Sequence, residues 1–325
     1  MTGWPLQRVL FLQKEEVLEC QKEEVVTFFK ANLPGSVVEF AGNSAQVLEG
    51  AHYDAIITPT LPWLPEALSK LKSYKWLHFL SSGIEKIWSM PFDKTELLMS
   101  KSSGVNSAAM GEYAIGAMLH FAKQFGRFQH QSMHRCWQRI WLDELTERTV
   151  TILGVGNVGR EVARRAQAFD MNVIGVSRTV RTVEHFDHIV TWEDMTPHLG
   201  RTDYLIVCLP LSSQTQGVVN EGIFEALKIG AVVIDISRGG VTSQNAIIDA
   251  LNKKKLFGAA LDVFEVQPLP CKSELWQRDD VLITPHVSGT TPFYLARALE
   301  IFLKNVRSLE QNKKLYSPVN VGLGY

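Results

Sequence analysis

Thr149-Val150-Thr151-Ile152-Leu153-Gly154-Val155-Gly156-Asn157-Val158-Gly159-Arg160 joins a β-branched apolar run to a glycine pattern and then to a segment of helical character. Strand, tight turn and helix in that order make the unit that cradles a dinucleotide pyrophosphate. Gly154 permits the turn, Gly156 lets the backbone approach the pyrophosphate, and Gly159 lets the helix sit against the strand. The helix N-terminus offers free N–H groups to the anion, chiefly from Asn157 and Val158. About twenty residues past the first glycine, a second apolar run, 171–176, ends in Ser177-Arg178-Thr179. A ribose with two free hydroxyls calls for Asp or Glu at that place. Two hydroxyls and a cation stand there instead, with Arg181 close by, and these suit a 2′-phosphate. The preferred cofactor is therefore NADP(H), with NAD(H) the second choice. The plainer reading of these residues is a solvated loop with two surface arginines.

Working outward, short apolar runs alternate with longer amphipathic segments almost throughout. That is the pattern of parallel sheets covered by helices. The first strand candidates are 8–12, 37–40, 53–58, 76–80 and 97–101, with a helix carrying Leu18, Val25, Val26, Phe29 and Leu33 after the first. A long helix is expected over 107–125, with Asn106 placed to cap it. Ala108, Ala109, Gly111, Gly116 and Ala117 make it small-sided, which fits either packing within the chain or an interface or spine between larger bodies. The second strand candidates are 150–155, 171–177, 204–209, 231–236, 257–263 and 281–284. A final amphipathic helix, 292–311, carries Leu295, Leu299, Phe302, Leu303 and Val306 and is expected to return to the first domain.

At 325 residues, two domains are expected. A net charge of −1 gives no reason to expect nucleic acid or an anionic membrane as partner. No apolar run reaches the ~18 residues of a bilayer span. Met1-Thr2-Gly3-Trp4-Pro5 lacks the basic start and apolar stretch of a signal peptide. Cys20, Cys136, Cys208 and Cys271 lie far apart, so neither a metal site nor a disulfide framework is expected, and a cytoplasmic setting fits.

Three later segments follow strand ends, where open α/β sheets bind ligands. They are Ile234-Asp235-Ile236-Ser237-Arg238-Gly239-Gly240, Ala260-Leu261-Asp262-Val263-Phe264-Glu265 and Leu282-Ile283-Thr284-Pro285-His286-Val287-Ser288-Gly289. Each alone has an ordinary structural reading: a capping arginine, a surface carboxylate, a core histidine. Together they supply an anion clamp, a carboxylate and an acid–base group, which is what reduction of a 2-oxo acid requires.

With Cys208-Leu209-Pro210-Leu211 and Thr215, these motifs make the chain resemble the D-isomer-specific 2-hydroxyacid dehydrogenase family, most densely over 104–291. The Ser177-Arg178 pair and the Gly324-Tyr325 ending are similar to its NADP-dependent glyoxylate/hydroxypyruvate reductase branch. The resemblance implies an α/β fold in which a Rossmann domain (105–291) is inserted into a smaller flavodoxin-like substrate domain (1–104 plus 292–325). It implies a homodimer, and a nicotinamide in the cleft between the domains. Arg238, Glu265 and His286 fall on the family's catalytic positions: Arg238 clamps the carboxylate, His286 donates the proton, and Glu265 hydrogen-bonds His286. Ser82 and Gly83, in Ser81-Ser82-Gly83-Ile84, fall on the carboxylate-binding loop. Cofactor contacts are implied at Cys208, Leu209, Pro210, Thr215, Ile236, Ser237, Asp262, Ser288 and Gly289, with Asp262 at the nicotinamide amide. Trp63 and Trp141 are candidates to shape the pocket. Glu85, Tyr113 and Thr242 depart from the family pattern. The implied reaction gives a D-2-hydroxy acid from glyoxylate, hydroxypyruvate or, alternatively, a larger 2-oxo acid. The rival from another class is a non-catalytic NADP(H)-sensing interaction protein.

Overall fold

The structure, a computed structural model, describes residues 6–320; the Met1-Thr2-Gly3-Trp4-Pro5 start and the Gly324-Tyr325 ending lie outside the described residues. The described residues form two compact units, 6–105 with 291–320, and 106–290.

The first unit runs β1 (Arg8–Leu12), α1 (Glu15–Asn32), β2 (Val37–Ala41), β3 (His52–Thr58), α2 (Leu64–Ser69), β4 (Ser73–Phe79) and β5 (Leu98–Lys101). Its five strands form one parallel sheet in the order β2-β1-β3-β4-β5. The second unit opens with α3 (Ser107–Ala122) and α4 (Phe125–Met133). Then come β6 (Thr149–Leu153), α5 (Asn157–Gln167), β7 (Asn172–Val176), β8 (His188–Val190), α6 (Thr196–Leu199), β9 (Tyr204–Val207) and α7 (Glu221–Ala226). It ends with β10 (Ala231–Asp235), α8 (Gln244–Asn252), β11 (Leu256–Leu261) and β12 (Val281–Ile283). The last helix, α9 (Tyr294–Glu310), belongs to the first unit. Its Leu295, Leu299, Phe302 and Val306 share a core with Val9, Phe11 and Phe29, and Phe302 stacks on Trp76 at 4.8 Å between ring centroids.

The second sheet is parallel throughout, ordered β12-β11-β10-β9-β6-β7-β8. Helices cover both faces, so the central strands are apolar on both sides; every residue of β6, β9 and β10 is buried. Strand order reverses between β6 and β9, the switch point at which doubly wound Rossmann sheets open a ligand crevice beyond their carboxyl ends.

Two expectations are corrected here. The long helix expected over 107–125 stops at Ala122, and α4 starts after Gln124, whose φ of 49° cannot continue an α-helix. Strand β8 was not expected, because three residues are too few to show a period. On the small side of α3, Gly111 packs within its own unit, since a Cβ there would lie 3.1 Å from the backbone of Glu161 in α5, whereas Gly116 is exposed with open space beside it.

Candidate active site

The strand ends of the second unit bring most of the expected residues together. After β6, Gly159 sits so close to the turn that a Cβ there would lie 2.0 Å from the carbonyl oxygen of Gly154. Gly156 precedes α5 with no side chain to cap it, which leaves the first-turn N–H groups of Asn157 and Val158 for an outside anion. After β7, Ser177 N bonds Val190 O at 3.0 Å and anchors the next loop to β8. Ser177 Oγ donates to Thr179 O at 2.7 Å and accepts from Thr179 N at 3.3 Å. This tight turn leaves Arg178, Thr179 and Arg181 on the exposed surface.

After β9, the Cys208 thiol donates to the carbonyls of Leu153 and Gly154, at 3.2 and 3.3 Å, and burial pushes it up to about 12. It ties β9 to the glycine turn. Leu209 is half-buried and Pro210 exposed. Thr215 Oγ1 donates to Pro210 O at 2.6 Å and accepts from Ser212 N at 2.8 Å. Thr215, expected at the cofactor, closes this turn.

After β10, Asp235 is buried and accepts from Ser237 N at 2.9 Å and Ser237 Oγ at 2.5 Å. Burial raises its carboxyl above the usual range, against the hydrogen bonds from Ser237. Ile236 and Ser237 are buried, and Arg238 emerges half-buried with Nη1 donating to Ser237 O at 2.8 Å. Gly239 presses on the neighbouring loop: a Cβ there would lie 1.8 Å from Phe264 O. No other residue type fits that contact, so the Arg238 loop and the loop after β11 form one surface.

Asp262, just past β11, is fully buried. Its Oδ1 accepts from Thr284 Oγ1 at 2.6 Å and Val287 N at 2.8 Å, and its Oδ2 accepts from Ser288 N at 2.9 Å. In this structure the carboxylate, expected at the nicotinamide amide, clamps the loop after β12, where Ser288 is buried and Gly289 half-buried. Tyr113, on α3, extends the clamp, because Thr284 already donates to Asp262 and so accepts from the Tyr113 hydroxyl at 2.7 Å. Burial pushes the Tyr113 phenol up to about 12. Between the clamped residues stands His286, exposed and left-handed with φ 57°. Such a conformation costs on the order of 1–3 kcal/mol and persists where its surroundings impose it.

The bond expected between Glu265 and His286 is absent among the described residues. Glu265 Oε1 accepts from Gln244 N at 2.9 Å, the first residue of α8. A helix start has N–H groups without intrahelical partners and favours negative charge, so it draws the carboxylate away. His286 Nδ1 instead meets Gln267 Oε1 at 3.0 Å. Residues 265 and 267 share a loop, and spacing alone could not tell which of them reaches the ring.

In the first unit, the loop after β4 carries Ser82 and Gly83. Ser82 Oγ donates to Ser102 O at 2.8 Å, and Tyr294 OH donates to Leu80 O at 2.7 Å. Beneath it, His78 is fully buried between Ser100 Oγ at 2.7 Å and Ser102 Oγ at 3.1 Å, and burial pushes it down to about 3. Trp63 packs half-buried in this unit, whereas Trp141, in the second, is 97% exposed and lines a pocket with Phe121, Leu142, Tyr204 and Phe257 at the amino ends of β9 and β11.

Residues 115–288 match the family described as D-isomer specific 2-hydroxyacid dehydrogenase, NAD binding domain. The chain belongs to this family. It is similar to glyoxylate/hydroxypyruvate reductase A of Citrobacter koseri, 32% identical over 216 residues, which span 66% of this chain and 69% of that one. Among solved structures it is similar to a D-isomer specific 2-hydroxyacid dehydrogenase family protein of Aeromonas salmonicida, with 26% identity, a TM-score of 0.85 and coverage of 97% and 99% of the two chains. An NADPH-dependent glyoxylate/hydroxypyruvate reductase of Sinorhizobium meliloti, solved with NADP and sulfate, shares the fold with a TM-score of 0.83 at 24% identity, over 98% and 100%. As a member of this family the chain is an oxidoreductase with a Rossmann NAD-binding domain, and the reading as a non-catalytic sensor is set aside.

Proposed function

We propose that the chain reduces a small 2-oxo acid of the glyoxylate or hydroxypyruvate type with NADPH. The product is a 2-hydroxy acid, of D configuration where C2 is stereogenic. The observation that carries the reading is a half-buried guanidinium after β10 and an imidazole held in a left-handed loop after β12, at the same end of the sheet on either side of β11. The name of the Citrobacter koseri relative supports the same substrate class.

The fit to a dinucleotide rests on the glycine turn, which has no room for a Cβ at position 159, and on the uncapped start of α5. Asn157 and Val158 would hold the pyrophosphate. Arg178, Thr179 and Arg181 would hold the 2′-phosphate, and this favours NADP(H) over NAD(H). When bound, NADPH supplies the hydride. Arg238 forks onto the substrate's carboxylate and polarises its carbonyl. His286 gives its Nε2 proton to the alkoxide oxygen. The backbone N–H donors expected at Ser82 and Gly83 are part of the proposal. So is a homodimer, in which the strongly exposed Met133, Trp137 and Trp141 would be covered by a second copy. Exposed thiols at Cys20, Cys136 and Cys271 suit a cytoplasmic setting.

The test is an initial-rate screen of glyoxylate, hydroxypyruvate, pyruvate and phenylpyruvate against NADPH and NADH, with Arg238→Ala in parallel. Preference for the two small polar acids with NADPH, and loss of turnover with a raised KM in the variant, are expected. Preference for phenylpyruvate, or near-normal kinetics of Arg238→Ala, would overturn the assignment.

A further inference from the structure

We infer that Gln267 is the positioning residue of His286, so that proton transfer in this chain runs on an imidazole held by a neutral amide. The inference rests on the reductase reading for its kinetic consequence, but its geometry stands alone.

The amide has one available orientation. Gln267 Nε2 donates to Phe264 O at 3.3 Å, which turns Oε1 toward His286 Nδ1 at 3.0 Å. An amide oxygen only accepts, so Nδ1 carries the hydrogen in that bond. Nε2 is then the ring atom that takes up and releases a proton. The Phe264 carbonyl cannot drift, because the backbone of Gly239 lies against it. A single carbonyl thus sets the Arg238 loop on one side and the amide that orients His286 on the other.

The charged groups of the surrounding elements are otherwise engaged. Glu265, in the same loop as Gln267, accepts from the start of α8. Asp262, at the end of β11, is buried and bound to Thr284, Val287 and Ser288. Asp235, at the end of β10, is buried and bound to Ser237, while Arg238 in that loop donates to Ser237 O. Tyr113, on α3, donates to Thr284. The loop from Thr284 to Thr290 has no titratable residue besides His286.

A carboxylate partner favours the imidazolium by direct attraction, whereas an amide orients the ring and adds no charge. During reduction the Nε2–H bond of the imidazolium breaks and the substrate's O–H bond forms. The ring is left neutral with its Nδ1–H on Gln267, and solvent returns the Nε2 proton. With an amide in place, the proton-donating form is lost at lower pH than it would be beside a carboxylate. Reduction should therefore fade toward alkaline pH earlier than in the Gln267→Glu variant.

The experiment is long-range 1H–15N NMR of the histidine ring in the full chain, for the wild type, Gln267→Glu and Glu265→Gln, with rate–pH profiles for hydroxypyruvate reduction alongside. The neutral wild-type ring should be the Nδ1–H tautomer. In Gln267→Glu the ring titration should move to higher pH by about one unit, and the alkaline limb of the rate profile should move with it. Glu265→Gln should move neither. An Nε2–H tautomer in the wild type, or a titration that follows Glu265 and ignores position 267, would overturn the inference. The predicted tautomer and titration shift in a chain that reduces no 2-oxo acid would support the pairing and overturn the reductase reading alone.

Discussion

Replacing Asp262 with Asn removes one hydrogen bond and one charge while leaving shape almost unchanged. The new side-chain oxygen can stand where Oδ1 stood and still accept from Thr284 Oγ1 and Val287 N, now at 2.6 and 2.8 Å. The new NH2 then faces Ser288 N across what is now a 2.9 Å contact, donor against donor. Ser288 is buried, so water cannot substitute. An unsatisfied buried donor costs about 1–3 kcal/mol, and a hydrogen bond to a charged group contributes about 1.5–3 kcal/mol. A stability loss of about 2–3 kcal/mol follows, because these figures describe the same broken bond and do not add. With that side of the clamp released, the strained backbone of His286 can relax, and displacement of a reacting group by about 1 Å lowers turnover on the order of 10²-fold. The assays are urea denaturation followed by tryptophan fluorescence, steady-state hydroxypyruvate reduction and fluorescence titration with NADPH. Falls in stability and kcat, with cofactor affinity within about threefold, are expected from the loop role. Unchanged stability with a large loss of NADPH affinity would refute the clamp and return Asp262 to the nicotinamide.

Arg178→Ala should weaken NADPH binding by one to two orders of magnitude, as expected for loss of a charge-assisted contact worth about 1.5–3 kcal/mol, and should leave NADH use nearly unchanged. Equal losses with both cofactors, read from KM values, would place the 2′-phosphate elsewhere. For His78, burial holds the folded-state titration near 3. The unfolded chain therefore binds the additional proton between that value and the ordinary ~6.5 of a free histidine. This group's contribution to stability is complete above the upper limit and declines by about 1.4 kcal/mol per pH unit as acid is added. Between pH 6.5 and 5, the wild type should lose about 1.6 kcal/mol more stability than His78→Gln in urea melts, and parallel losses would contradict the neutral buried ring.

The strands, the glycine turn and the parallel layering were legible because each rests on a local rule: β-branched apolar runs, glycines where a Cβ has no room, and helices between strands. Strand β8 and the break at Gln124 were not, since one is too short to show a period and the other depends on a single left-handed residue. At the site, Arg238 and His286 were legible from their places after strand ends. The partner of His286 was not, because residues 265 and 267 lie in one loop and only the start of α8 decides which of them is drawn away. Tyr113 and Thr284 are 171 residues apart, so the third member of the Asp262 clamp left no trace in local sequence.

The contact of Gly239 with the Phe264 carbonyl has a bearing on any effort to change what this enzyme accepts. Laboratory evolution that randomises the pocket one position at a time would meet a ridge here: a side chain at 239 is lethal to the arrangement unless the facing backbone retreats, and that retreat carries the amide at 267 with it. Libraries should hold 239 constant and vary 264–267 as a single cassette, selecting combinations and discarding any ranking built from individual replacements.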